Sequence, residues 1–253
     1  MTGLHVSQPA PHVVLIEIDN PPSNALGASV RERFIEHLKQ IESDLDIRAV
    51  ILTGRGKGFC AGDDLREAAT RGLDALSSLV QFGALLDAIE GLRVPVIAAV
   101  NGHAIGGGLE LALACDVRIA SAEAFFMAAG VNIGLMASTY RLPRLVGIGA
   151  AKAMLLTGSR VDAALALSTG LVTAVHAHDD LLQAATDLAV RIASRAPLSV
   201  EAAKRSIDRA FDWSAQEAAA AALAELRTLV ATKDHAAAVR AFLDRSDPVF
   251  TRS

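Results

Sequence analysis

The stretch Asn101-Gly-His-Ala-Ile-Gly-Gly-Gly-Leu-Glu110 carries the deciding pattern of this chain. A β-branched run, Val94 to Val100, leads into it, and Leu109 to Cys115 continues it as a helix. Three consecutive glycines thus stand at a strand-to-helix turn. Backbone N–H groups at a helix start lack intrahelical acceptors and face the positive end of the dipole. With no side chains there, a carbonyl oxygen can approach closely. Glu110 follows Gly107 by about one helical turn on the same face. A bare N–H donor beside a carboxylate suits chemistry that builds negative charge on an acyl oxygen while a proton moves.

A second glycine turn lies upstream, in Gly58-Phe-Cys-Ala-Gly-Asp-Asp-Leu65, between the strand Arg48–Thr53 and a helix. Alone it reads equally as an ordinary turn with Asp63 or Asp64 as helix N-cap. Paired with Gly106–Gly108, it can aim a second N–H at the same oxygen. Glu110 sits among Leu109, Leu111, Ala112, Leu113 and Ala114, in a helix apolar almost all round. A carboxylate there needs a partner or a task. His103 reads as a shaping residue rather than a base, and Cys60 and Cys115 as small core residues.

The surrounding order is strand Val13–Asp19, turn Asn20–Asn24, helix Ala28–Ser43, strand Arg48–Thr53, a mostly helical Asp63–Gly91, and strands Val94–Val100 and Val117–Ala120. This alternation indicates α/β architecture. Beyond Ala150 helices dominate, with one further strand candidate at Leu171–Val175 and an Ala-rich helix over Glu217–Val230. A boundary near residue 195 separates a core, 1–195, from a helical region, 196–253.

Composition narrows the function. The chain has 253 residues, 52% hydrophobic, which is enough for a large core. Mean hydropathy is +0.36, raised by alanine, but no apolar run reaches the ~20 residues of a membrane span. Met1–Pro11 shows no basic segment followed by an apolar one, and two cysteines in such a chain read as reduced thiols, so a cytoplasmic location is expected. A net charge of −4 gives no basis for nucleic-acid binding. The glycine spacing fits neither a dinucleotide fingerprint nor a P-loop, no Gly-x-Ser-x-Gly elbow occurs, and the seven histidines show no metal-binding spacing.

In order along the chain, Asn20-Pro-Pro-Ser-Asn-Ala-Leu26, Phe59-Cys-Ala-Gly-Asp-Asp-Leu65, Asn101 to Glu110, Cys115-Asp116, Arg141-Leu-Pro-Arg-Leu-Val-Gly147, Ala196-Pro-Leu198 and Phe242…Pro248-Val-Phe250 resemble the motifs of the crotonase (enoyl-CoA hydratase/isomerase) superfamily. The resemblance implies a spiral of ββα units with a helical C-terminal region, assembled as a homotrimer or a hexamer. It implies an acyl-CoA thioester substrate that brings coenzyme A itself, with no separate cofactor. Carried over by position, the N–H groups of Ala61 and Gly107 form an oxyanion hole and Glu110 is the acid/base. Gly62, Asp63, Asp64 and Leu65 lie along the bound thioester, with Asp64 and Leu65 near its adenine end, and Phe250 matches an aromatic residue near that adenine.

One position departs from the pattern. Hydratases of this family carry a second glutamate after the next strand, and here Gly130 stands in its place, followed by the shortened loop Leu135-Met-Ala-Ser-Thr-Tyr140. Hydration needs one group to activate water and one to handle the α-proton. The reading is an acyl-CoA enzyme that stabilises an enolate-like thioester, best labelled an enoyl-CoA hydratase-like lyase, with an isomerase or decarboxylase acting on another acyl-CoA as the alternative and a CoA-thioester binding protein with little turnover as the alternative of another class. Asp63 is a candidate for a second acid, although capping or orienting is its simpler role.

Overall fold

The computed structural model describes residues 3–71 and 75–253. A six-stranded sheet has the order β1 (Gly3–Ala10), β2 (Val13–Asp19), β3 (Ala49–Gly54), β5 (Val96–Val100), β7 (Val117–Ser121) and β10 (Ala174–His176). The β1–β2 pair is antiparallel and the other pairs are parallel. A second, four-stranded sheet has the order β4 (Gly58–Cys60), β6 (His103–Ile105), β8 (Phe125–Met127) and β9 (Arg160–Asp162).

Each long strand β3, β5 and β7 runs on into a short strand of the second sheet and then into helix. β4 leads to α2 (Leu65–Arg71) and α3 (Ala75–Glu90), β6 to α4 (Gly107–Leu113), and β8, after a 3-10 turn at Ala129–Ile133, to α5 (Arg141–Thr157). This is the spiral of ββα units that the resemblance implies.

The central strands are apolar on both sides, as a covered parallel sheet requires. Val14, Ile16, Val50, Leu52, Val96 and Ala98 face the main core, where α1 (Ala28–Ser43) and α3 pack. Val13, Leu15, Ala49, Ile51, Ile97 and Ala99 face the other way. There α7 (Leu181–Ala193) lays down Leu181, Ala185, Ala189 and Ala193, a small-residue stripe at intervals of four that lets the helix sit close to the sheet.

One detail differs from the sequence reading. The strand expected at Leu171–Val175 begins only at Ala174; Leu171 and Val172 are buried in the turn after α6 (Ala163–Ser168), where Arg118 Nε holds the Leu171 carbonyl. Within the stretch read as mostly helical, Asp63–Gly91, the described residues Leu65–Arg71 and Ala75–Glu90 are helical, and residues 72–74 lie outside the described set. After residue 195, α8 (Pro197–Asp208) is fastened to the core by Lys204–Asp116 at 2.7 Å and Glu201–Arg93 at 2.8 Å. Asp116 also accepts from Val96 N–H at 2.7 Å, so the Cys-Asp pair ending α4 is a structural clasp. The following α9 (Ala215–Leu229) buries none of its residues, and α10 (Lys233–Asp244) leaves Phe242 84% exposed. No helix among the described residues is long and apolar enough to cross a membrane.

Candidate active site

The two glycine turns meet. The Gly62 backbone, at φ +89°, lies so close to α4 that a Cβ on it would stand 2.6 Å from the Gly107 nitrogen. A Cβ on Gly107 would stand 3.1 Å from the Gly62 Cα and 2.6 Å from the edge of the Phe82 ring. Both positions therefore need glycine, Gly62 also for its left-handed conformation. Gly107 is the first residue of α4, so its N–H has no intrahelical acceptor.

The expected partner donor, Ala61, is corrected. Its N–H donates to the Ser23 carbonyl at 3.0 Å and is consumed in the scaffold. The next peptide is oriented differently. The Gly62 carbonyl accepts from Leu26 N–H at 2.7 Å, and in a trans peptide the N–H points opposite the carbonyl. The Asp63 N–H is thus directed away from the Leu26 segment.

The Asn20–Asn24 turn holds this arrangement. Asn24 Nδ2 donates to the Gly58 carbonyl at 2.7 Å and the Arg55 carbonyl at 3.0 Å. His103 Nε2 lies 3.2 Å from the Ser23 carbonyl, and its ring fills space that a side chain on Gly58 would need. His103 is accordingly a wedge under the turn, as its sequence position suggested.

Asp63 is not placed as a second acid. Its carboxylate takes Arg31 Nη1 at 2.6 Å, and Arg31 is buried on α1, with Nη2 on Ser78 Oγ at 2.9 Å. Among the described residues, the buried Arg31 Nε has no hydrogen-bond partner, a cost of about 1–3 kcal/mol. Asp64 caps α2 through Arg66 N–H at 2.9 Å, and Leu65 is exposed.

Glu110 is 7% exposed, one turn into α4. Its Oε2 lies 3.8 Å from Arg141 Nη1 at the start of α5. Arg141 Nη2 also reaches Glu90 at 2.6 Å and Asp87 at 3.2 Å, both on α3. Burial depresses the Arg141 guanidinium, but the Glu90 hydrogen bond and the charges of Glu90, Glu110 and Asp87 outweigh it and hold it above its ordinary value.

Gly130 lies in the 3-10 turn after β8. The shortened loop folds back over it: Leu135 N–H donates to the Gly130 carbonyl at 2.8 Å, and a Cβ at 130 would meet the Leu135 carbonyl oxygen at 3.0 Å. The space beside Gly130 is thus taken by backbone. Phe250 is not brought to this site within the chain. It lies at the other end of the sheet, where Arg48, just before β3, donates to its carbonyl at 3.0 Å.

Two clefts, of about 500 and 960 Å³, share Glu90, Tyr140, Lys204 and Asp208, and Arg141 lines the smaller. Neither is lined by Gly62 or Gly107. The close approach of the two glycine turns beside the buried Glu110, rather than cavity size, marks the site. Among the described residues no group of three His, Cys, Asp or Glu side chains could hold a metal ion.

The family model described as enoyl-CoA hydratase/isomerase matches residues 10–253. The chain belongs to this family. Similar members include the short-chain-enoyl-CoA hydratase of Clostridium acetobutylicum, 36% identical over 242 residues and 92% of each chain. YngF of Bacillus subtilis, named for the same family, is 39% identical over 248 residues and 94% of each chain. The crystal structure of enoyl-CoA hydratase from Bacillus anthracis superposes with a TM-score of 0.95 at 34% identity over 100% of both chains. This hydratase/isomerase-family chain thus has the family fold, one acidic side chain beside its helix-start donor, and a glycine where a second glutamate is expected.

Sequence reasoning missed two side chains. Arg31 stands within the buried stripe Val30, Phe34, Leu38 and Ile41 of α1, and a lone arginine on such a face was a usable signal. Arg141 was noticed only as part of a motif; nothing local linked it to Glu110.

Proposed function

We propose that this protein binds an enoyl-CoA thioester with its carbonyl oxygen at the Gly107 N–H and the Asp63 N–H, and moves a proton through Glu110. Removal of an α-proton sends electrons to the thioester oxygen, where preorganised donors stabilise the enolate. With one carboxylate, the balanced reaction is a shift of the double bond: Glu110 takes the proton from Cα of a 3-enoyl thioester and returns it at Cγ, giving the 2-enoyl thioester. The observation that carries this reading is Gly130 itself, which has no side chain to carry a second proton and lies under the Leu135 carbonyl.

Hydration is the second reading, favoured by relatives that carry the name hydratase. A short-chain 3-enoyl-CoA and crotonyl-CoA, each followed at the conjugated-enoyl absorbance, separate the two. Isomerisation at least tenfold faster than hydration is expected; the reverse ratio overturns the isomerase reading. Affinity for both esters with turnover of neither would return the chain to the binding-protein class.

The same reading takes 196–253 as the self-association region of a homotrimer or hexamer, supported by the unburied α9 and the exposed Phe211, Phe242 and Leu243. Free, buried Cys60 and Cys115, both thiols pushed up to about 12 by burial, suit a reducing cytoplasm.

A further inference from the structure

We propose that Arg141 is a positioning residue that ties the Glu110 carboxylate to α3 and α5 through a direct charge contact. The proposal rests on the reading of Glu110 as proton carrier. Arg141 bridges three carboxylates: its Nη2 is anchored on α3 by Glu90 at 2.6 Å and Asp87 at 3.2 Å, while Nη1 leans on Glu110 at 3.8 Å. The α3 anchor would be enough to fasten α5; the contact to Glu110 adds a link to the reacting carboxylate. The clamp is incomplete as packing, because Arg141 Nε is buried with no hydrogen-bond partner.

The neighbouring cations are committed elsewhere. Arg144, on the same helix, pairs with Asp212 and stacks on Tyr140, and Lys204 pairs with Asp116 at 2.7 Å. Asp208, across the cleft, is pushed above the usual carboxylate range by burial, with Asp116 and Glu90 adding to the effect and Lys204 opposing it. Among the described residues, Arg141 is thus the cation that the structure places within ion-pair range of Glu110.

This charge pattern gives a test whose two arms move in opposite directions. An opposite charge within about 4–6 Å shifts a carboxylate by roughly 1–3 pH units, and a like charge shifts it the other way. In Arg141→Met, the low-pH limb of kcat/KM should move upward by about 1–3 pH units, with partial return in Arg141→Lys. In Glu90→Gln the limb should move downward, because a like charge is lost and Arg141 is freed toward Glu110. The ¹³C titration of the Glu110 carboxylate in the ligand-free protein, assigned by its absence in Glu110→Gln, should show the same signs. That titration decides the matter even if no ester is turned over, an outcome that would sink the proposed reaction alone. An unmoved titration in folded Arg141→Met, or shifts of one sign in both variants, would overturn the positioning role. Should Arg141→Met fail to fold, the Glu90→Gln and Arg141→Lys titrations decide it.

Discussion

The turns after β4 and β6 contrast with the turn after β8. In the first two, backbone presses on backbone, and Gly62 and Gly107 have no room for a Cβ. In the third, the loop is shortened, Leu135 and Met136 are exposed, and Gly130 is covered by a carbonyl rather than carrying an acid. In the proposed function the donors are backbone groups fixed by packing, whereas a second acid would need a side chain that position 130 lacks. One fold can therefore retain enolate stabilisation while changing what becomes of the proton.

The contrast is broken most severely at Gly107. Gly107→Val should lower kcat/KM by about 10²–10³, the usual cost of losing one oxyanion donor, because its side chain collides with Phe82 and Gly62. Unchanged kinetics in a folded variant would remove the donor role. The supporting ion pair comes next. Asp63→Asn strands the buried Arg31 guanidinium and should cost about 3 kcal/mol in urea unfolding, since removing one partner of a buried pair leaves an uncompensated charge. A loss below about 0.5 kcal/mol would mark the pair as an ordinary surface contact. Gly130→Ala should do least. Its Cβ needs the Leu135 carbonyl to yield by a few tenths of an ångström, so a stability loss of about 1 kcal/mol with activity within roughly threefold is expected. A collapse of activity as large as that of Gly107→Val would erase the distinction between the turns.

Much of this was legible in the chain, for identifiable reasons. The long strands and helices announce themselves through apolar runs and period. β4, β6, β8 and β9, at three residues each, are too short to carry a period, although they build the second sheet that brings the turns together. The glycine turns and Glu110 were readable because both signals are local. Which N–H of the first turn stays out of the scaffold was not: Ser23 engages Ala61 N–H and Leu26 engages the Gly62 carbonyl, both from more than thirty residues upstream. The place of Phe250 was hidden for a similar reason, since Arg48, 202 residues away and just before β3, fixes its carbonyl. Arg141 acquires its meaning only when α3, α4 and α5 pack.

The most direct test of a single-carboxylate enolate site is α-proton exchange. Butyryl-CoA has no double bond to hydrate or shift, so incorporation of deuterium at its α-carbon in D₂O reports enolate formation alone. Wild-type protein should catalyse exchange while hydrating crotonyl-CoA slowly or not at all, and Glu110→Gln should lose about 10²–10⁴ of the exchange rate. Exchange that persists unchanged in folded Glu110→Gln, or rapid crotonyl-CoA hydration by the wild type, would contradict the account.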